Sequence, residues 1–203
     1  MLEMIHAGGF IMYIIIFCSI IALGFIIERF IVYAGCRTNM ETFYPQFENL
    51  LKQGKIKEAG ALCEQKPKLL PRLFLLGLLH ANETIDDIRK ILIDEIQIHV
   101  LPSLQRNLSV LAIIAKGAPM LGLLGTVLGM IETFEVVAIY GLGDPQKMAD
   151  GIRYALVTTA GGLIVAIPIL FVHAYFKARI RRTELEIHHY LTRFLRVMQA
   201  TRK

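Results

Sequence analysis

Charge is nearly absent from residues 4–27, sparse from 107 to 176 and dense everywhere else. No other feature restricts the fold so tightly. A hydrocarbon layer demands about 20 consecutive apolar residues per crossing helix, and the chain offers three such stretches. Of its 203 residues 55% are hydrophobic, too many for a soluble surface to hide. The expectation is an all-α integral membrane protein with three transmembrane helices and long cytoplasmic helical extensions. The boundaries predicted are an N-terminal span at 1–35, a helical region at 36–106, a second span at 107–140, a short loop at 141–150, a third span at 151–176 and a C-terminal helix at 177–203.

The basic residues fix an orientation. Of the 22 Lys and Arg, ten lie in 36–106 and eight in the tail from Lys177, with Arg179, Arg181 and Arg182 directly beside the third apolar run. The 141–150 loop holds only Lys147 against Asp144 and Asp150. The positive-inside bias then puts the N-terminus and the short loop outside and the large loop and C-terminus in the cytoplasm. The net charge of +5 does not indicate nucleic acid, because the cations flank apolar runs and are not interleaved with aromatics. The first run lacks a basic n-region and a small-residue cleavage site, so it reads as a span and not a signal peptide. Glu28-Arg29 at its inner end reads as an interfacial anchor.

Between the first two spans, Phe43, Phe47, Leu50 and Leu51 recur at helical spacing before a break at Gly54. A short helix follows over Glu58 to Gln65, ending near Pro67. The apolar run Leu69 to Leu79 is too short to cross. Thr84 suits a helix cap, with Asp86 and Asp87 in the first turn beyond it. Ile88, Ile91, Leu92, Glu95, Ile96 and His99 line one side of that helix. In the tail, Ile180, Ile187, Leu191, Phe194 and Met198 form a stripe suited to packing on other subunits. Neither the three cysteines nor the six histidines have metal-ligand spacing. No nucleophile, metal cluster or phosphate loop is recognisable, so no cofactor is expected and the chain is not read as an enzyme.

The later spans differ from the first. The second contains APMLGLLGTVLGMIETF and the third GIRYALVTTAGGLIVAIP. Glycine costs about 1 kcal/mol in a helix interior, so its density calls for a cause. Gly122, Gly125, Gly129 and Glu132 share one side of the second span; Ala155, Thr159, Gly162 and Ala166 share one side of the third. Small faces let membrane helices pack closely, which makes Gly122, Gly125, Gly129 and Gly162 packing positions. Thr126, Thr133, Thr158 and Thr159 add hydroxyls, and Glu132 and Glu135 carboxylates. Carboxylates within a span mark an ion path or a buried pair; near the outer end, solvation at the interface is the plainer alternative. Lys116 sits where its stem can snorkel to headgroups.

Ala118-Pro119-Met120-Leu121-Gly122-Leu123-Leu124-Gly125-Thr126-Val127 and Ala155-Leu156-Val157-Thr158-Thr159-Ala160-Gly161-Gly162-Leu163, extended by Val165-Ala166-Ile167-Pro168, resemble the MotA/TolQ/ExbB proton-channel family, most closely its three-span ExbB/TolQ branch. The resemblance implies a homopentameric ring around single-span ExbD/TolR-like partners, each carrying a proton-binding intramembrane Asp. It also implies a TonB-like or other periplasmic effector, and it matches Thr126 and Thr159 to the threonines of the ion path. The work driven would be transport or mechanical action at the cell envelope. A non-conducting scaffold subunit is the alternative.

One departure bears on mechanism. Where this branch has a third span beginning GI-x-E-A-L, this chain reads Gly151-Ile152-Arg153-Tyr154-Ala155-Leu156, with Tyr154 in the carboxylate's place. A phenol, ordinarily ionising near pH 10, is a poor relay at neutral pH, yet its hydroxyl can join a hydrogen-bonded chain. If Thr126 and Thr159 lie at equal depth, Glu132 and Arg153 are each six residues, about 9 Å, further out and level with each other. Glu132 then either replaces the lost carboxylate or is held by Arg153 as a structural pair.

Overall fold

The structure, a computed structural model, describes residues 8–36, 39–66, 68–140 and 145–201. The elements are α1 (Gly9–Cys36), α2 (Met40–Lys52), α3 (Ile56–Glu64), α4 (Leu69–Leu79), α5 (Ile85–Glu95), one π-helical turn (Ile96–Val100), α6 (Leu101–Gln105), α7 (Leu108–Tyr140) and α8 (Pro145–Thr201). No strand occurs among the described residues. The chain forms two units. One comprises the residues up to Glu28 together with Asn107–Phe176; the other comprises Arg29–Arg106 and the chain from Lys177.

Three helices are long and apolar enough to cross a membrane. Only 22% of the apolar window on α1, and 33% of those on α7 and α8, is buried within the chain. Phe10, Phe17 and Ile20 on α1, Met120 and Leu123 on α7, and Ile164 and Phe171 on α8 all stand exposed. Water tolerates no such continuous apolar surface. The chain is a multi-span membrane protein.

The turn expected at 141–150 is shorter than its composition implied. Residues 145–150 are already helical, with Pro145 opening α8, where its missing N–H costs nothing. Gly141 to Asp144, like Arg37 and Pro67, lie outside the described residues. The third span and the C-terminal helix are one element as well. α8 has 57 residues, about 85 Å at the helical rise. The helix runs unbroken through the small residues of 158–162, through Pro168 and through the charged 177–182, so the change from apolar to charged is a change of solvent and not of backbone.

The second unit has an aromatic core. Phe43, Phe47, Phe74 and Phe194 are wholly buried, with ring centroids 4.8 Å apart for Phe47–Phe74 and 5.3 Å for Phe74–Phe194. Gly77 permits the approach of Phe194, since a Cβ there would lie 2.6 Å from the ring. The α8 stripe of Ile180, Ile187, Leu191, Phe194 and Met198 is buried in this way by the chain's own helices. That corrects the expectation that it packs on other subunits: the short helices α2 and α4 supply the apolar partners, Phe47 and Phe74 among them. Thr84 caps α5 as its sequence position predicts, accepting from the Asp87 amide at 3.2 Å, and Ile88, Leu92 and Ile96 turn inward. Gly54, at φ +72°, ends the α2 segment, a backbone region that glycine enters freely.

Charge is arranged around that core. Glu48 accepts from Lys52 at 2.8 Å and from Arg193 at 2.9 Å. The Lys52 hydrogen bond leads in holding its carboxyl below the usual range. The Arg193 guanidinium lies 4.5 Å from the Tyr44 ring centre. Burial first, and the Glu48 carboxylate second, push the Tyr44 phenol up to about 12. Burial likewise raises the Cys63 thiol to about 12, which leaves it an inert core group.

Glu28-Arg29 differs from its expected role as an interfacial anchor. Arg29 is 2% exposed and donates through Nη1 to the carbonyls of Ser103 at 3.1 Å and Leu104 at 3.4 Å. Tyr33 donates to the Leu104 carbonyl at 2.6 Å. These are the last carbonyls of α6, which have no partner further along their own helix. A cation is favoured at that negative end. Within the other unit, Glu28 accepts from Asn107 Nδ2 at 2.7 Å, and Asn107 itself takes φ +60°.

Truncating Phe74 to Ala is expected to cost about 3–5 kcal/mol, read as a lowered midpoint of chemical unfolding in detergent. Stability should also fall on both sides of neutrality. Below the ordinary carboxylate range it declines as Glu48 is protonated through its lowered value. Between about 9 and 12 it declines because Cys63 and Tyr44, both raised to about 12, ionise first in the unfolded chain. Unfolding across pH checks this: Glu48→Gln should flatten the acid limb, Tyr44→Phe should reduce the alkaline one, and Tyr44→Phe/Cys63→Ala should flatten it.

Candidate functional site

The contact of α7 with α8 is built on missing side chains. A Cβ on Gly122 would sit 2.9 Å from the Thr158 carbonyl oxygen, and one on Gly129 2.7 Å from that of Gly151. A Cβ on Gly162 would meet the Ala118 carbonyl at 2.5 Å, and one on Gly125 would overlap the Thr158 side chain. Three of these obstacles are backbone, which cannot swing aside. All four glycines named from sequence thus lie where the two helices touch.

The threonines divide into two kinds. Thr158 is fully enclosed; its hydroxyl donates to Ala155 O at 2.9 Å, with Tyr154 O at 3.0 Å and Gly122 O, across the contact, at 3.5 Å. Thr133 is buried and bonds Gly129 O at 2.8 Å, and a Cβ on Gly151 would overlap its hydroxyl. Thr159 is half-buried and reaches Gly122 O at 3.1 Å. Thr126, also half-buried, bonds Leu123 O in its own turn at 2.6 Å. Tyr154 is half-buried as well, its ring 2.7 Å from where a Gly9 Cβ would stand.

The glycine contacts set a register that corrects the equal-depth assumption. Thr159 lies opposite Gly122, so it sits four residues, about 6 Å, nearer the Lys116 end of α7 than Thr126. Counting six residues from each threonine away from that end carries the offset along, and Glu132 and Arg153 are therefore not level. Both side chains are exposed, and among the described residues they form no ion pair with each other. The intrachain pair is not made. Glu135 is exposed too.

A sequence profile described as the MotA/TolQ/ExbB proton channel family matches residues 65–189, and that stretch contains the whole α7–α8 contact. The chain belongs to the MotA/TolQ/ExbB proton channel family. It is 32% identical over 187 residues to an ExbB homolog of biopolymer transport from Methanothermobacter thermautotrophicus, covering 88% of this chain and 63% of the relative. To the biopolymer transport protein ExbB of Aquifex aeolicus it is 37% identical over 83 residues, 41% of this chain and 56% of that one. To the Tol-Pal system protein TolQ of Haemophilus influenzae it is 30% identical over 96 residues, 47% and 42% of the two chains. The chain thus spans between two fifths and two thirds of the length of these relatives.

No signal in the sequence separated Thr158 from Thr159. Adjacent residues on a helix point about 100° apart, and only the register of the partner decides which is enclosed. The clamp of Arg29 on α6 was missed for a similar reason, because a charge beside an apolar run carries no mark of what it meets.

Gly122→Ala is expected to destabilise the α7–α8 pair by about 1–3 kcal/mol, since a methyl group would have to displace backbone. Gly117→Ala, with nothing within 4 Å of its added Cβ, should be neutral or stabilising by up to about 1 kcal/mol. Thermal denaturation of the two variants in one detergent compares them directly.

Proposed function

We propose that the protein is the ExbB/TolQ-like subunit of a proton-channel motor in a bacterial inner membrane. It would couple ion-motive force to transport or mechanical work at the cell envelope. In this reading several copies, five by family resemblance, surround single-span ExbD/TolR-like partners whose intramembrane Asp carries the proton. The N-terminus is periplasmic. The helices of 36–106 and the α8 extension are cytoplasmic, and a TonB-like or other periplasmic effector receives the work. The chain itself performs no covalent catalysis.

One observation carries the reading furthest. On α7 the uncharged stretch between Lys116 and Glu132 is only fifteen residues, 117–131, about 22 Å of helix against a hydrocarbon thickness of about 30 Å. The corresponding stretch on α8, 154–176, is about 34 Å. A helix with so short a window cannot face lipid along its whole length. Lys116 has a stem long enough to snorkel; the shorter Glu132 does not. An ionisable group at such depth belongs against protein or a water-filled path, and Glu132 is exposed on the single chain. In this reading Thr126 and Thr159 continue the polar line inward, and Tyr154 contributes a hydroxyl. Each charge crossing would release about 2.3 kcal/mol per 100 mV.

A scaffold that conducts nothing is the second reading. The enclosure of Thr158 and Thr133, whose hydroxyls bond carbonyls in the helix pair, favours it. Co-expression with an ExbD/TolR-like partner and proton-flux measurement in proteoliposomes separates the two. Under the motor reading Thr126→Val, Thr159→Val and Glu132→Gln each lower flux at least about tenfold while the complex stays assembled. Absence of flux from the intact complex would establish the scaffold. Unchanged flux in Glu132→Gln alone would remove that carboxylate from the path.

A further inference from the structure

The second unit holds a cavity of about 690 Å³, within the range of small-molecule sites. Among the described residues its cations are Lys68, Arg179 and Arg182, and its carboxylates are Glu41 and Glu186. Leu69, Leu70, Ala34 and Met40 supply an apolar wall, and Tyr33 and Tyr190 complete the rim. We infer that this cavity binds the phosphodiester of an anionic phospholipid from the leaflet bordering the start of the charged α8 extension. The inference rests on the membrane location of the chain and not on ion conduction.

Position is the first argument. Arg179 and Arg182 stand three and six residues beyond Phe176, the last residue of the apolar run, on an uninterrupted helix. That is within about 5–9 Å of the hydrocarbon edge, at headgroup level. Tyr33 and Ala34 occupy the equivalent place at the inner end of α1.

Charge is the second. Among the described residues Arg179 forms no ion pair, and Arg182 engages Glu186 only through Nε, at 3.3 Å, leaving its terminal nitrogens to a ligand. Guanidinium groups match phosphate oxygens by parallel hydrogen bonds. The first turns of α2 and α4, Asn39 to Glu41 and Lys68 to Leu70, open on the same cavity. Neither helix has a side-chain cap, so backbone amides there add to the attraction for an anion. The apolar wall gives the glycerol and first acyl carbons a surface that a soluble anion would not use.

Native mass spectrometry of the full chain released from detergent micelles tests this without any flux measurement. The probes are dioleoyl phosphatidylglycerol, phosphatidylethanolamine and phosphatidylcholine, and glycerol 1-phosphate. Retention of phosphatidylglycerol over the two zwitterionic lipids by about tenfold is expected, as is its loss in Arg179→Gln/Arg182→Gln. Arg181→Gln, outside the cavity, should bind as the parent does. Glu186→Gln removes an opposing carboxylate and frees Arg182, so it should bind phosphatidylglycerol more tightly; this gain keeps the test decisive should the double variant misfold. Equal retention of all three lipids, unchanged binding in the double variant, weaker binding in Glu186→Gln, or glycerol 1-phosphate binding as well as the lipid would each overturn the inference.

Discussion

The approach of α7 to α8 rests on backbone meeting backbone. In water two helices are driven together by their apolar faces. In lipid that drive is absent, and what remains is van der Waals contact and hydrogen bonding at short range. Gly122, Gly129 and Gly162 each face a carbonyl of the opposite helix at a distance that a side chain would forbid. Thr158 and Thr159 then bring hydroxyls to the Gly122 carbonyl, an oxygen reachable only because no Cβ covers it. The glycines cost helix propensity, and the return is a fixed register. Every statement about which polar group lies at which depth follows from that register.

The second unit is stabilised by the opposite means. Its helices are short and individually marginal, and they gain stability from large aromatic rings buried around Phe74. The long α8 provides the surface on which α2 and α4 condense. Arg29 and Tyr33 satisfy the carbonyls at the end of α6, a site where water would otherwise have to enter. The same chain therefore uses glycine where lipid is the solvent and phenylalanine where water is. Each choice follows from whether exclusion of solvent can contribute energy there.

This contrast explains what could be read beforehand. Span number, the α5 cap at Thr84 and the glycine faces of α7 and α8 are local signals: length without charge, a hydroxyl before two aspartates, small residues at helical spacing. The stripe from Ile180 to Met198 was equally visible, but a stripe says only that something covers it. Here the cover is the chain's own α2 and α4. The equal depth of Thr126 and Thr159 failed for a related reason, because helical counting fixes spacing along one helix and leaves its offset against another to the contacts. Pro145 to Asp150 looked like loop because Gly, Pro and Asp cluster there. Proline at a first helical position is nevertheless a start signal, and it prevailed.

Tyr154 draws these lines together. It stands beside Arg153 and one residue before Ala155, which packs by Gly129. Its ring lies close to Gly9, where any side chain would collide with it. A carboxylate at 154 would have needed a polar environment; a phenol can bury its ring against α1 and still offer a hydroxyl. Tyr154 therefore brings a hydroxyl and not a carboxylate to this part of the contact, and the carboxylate nearest Thr126 along α7 is that of Glu132.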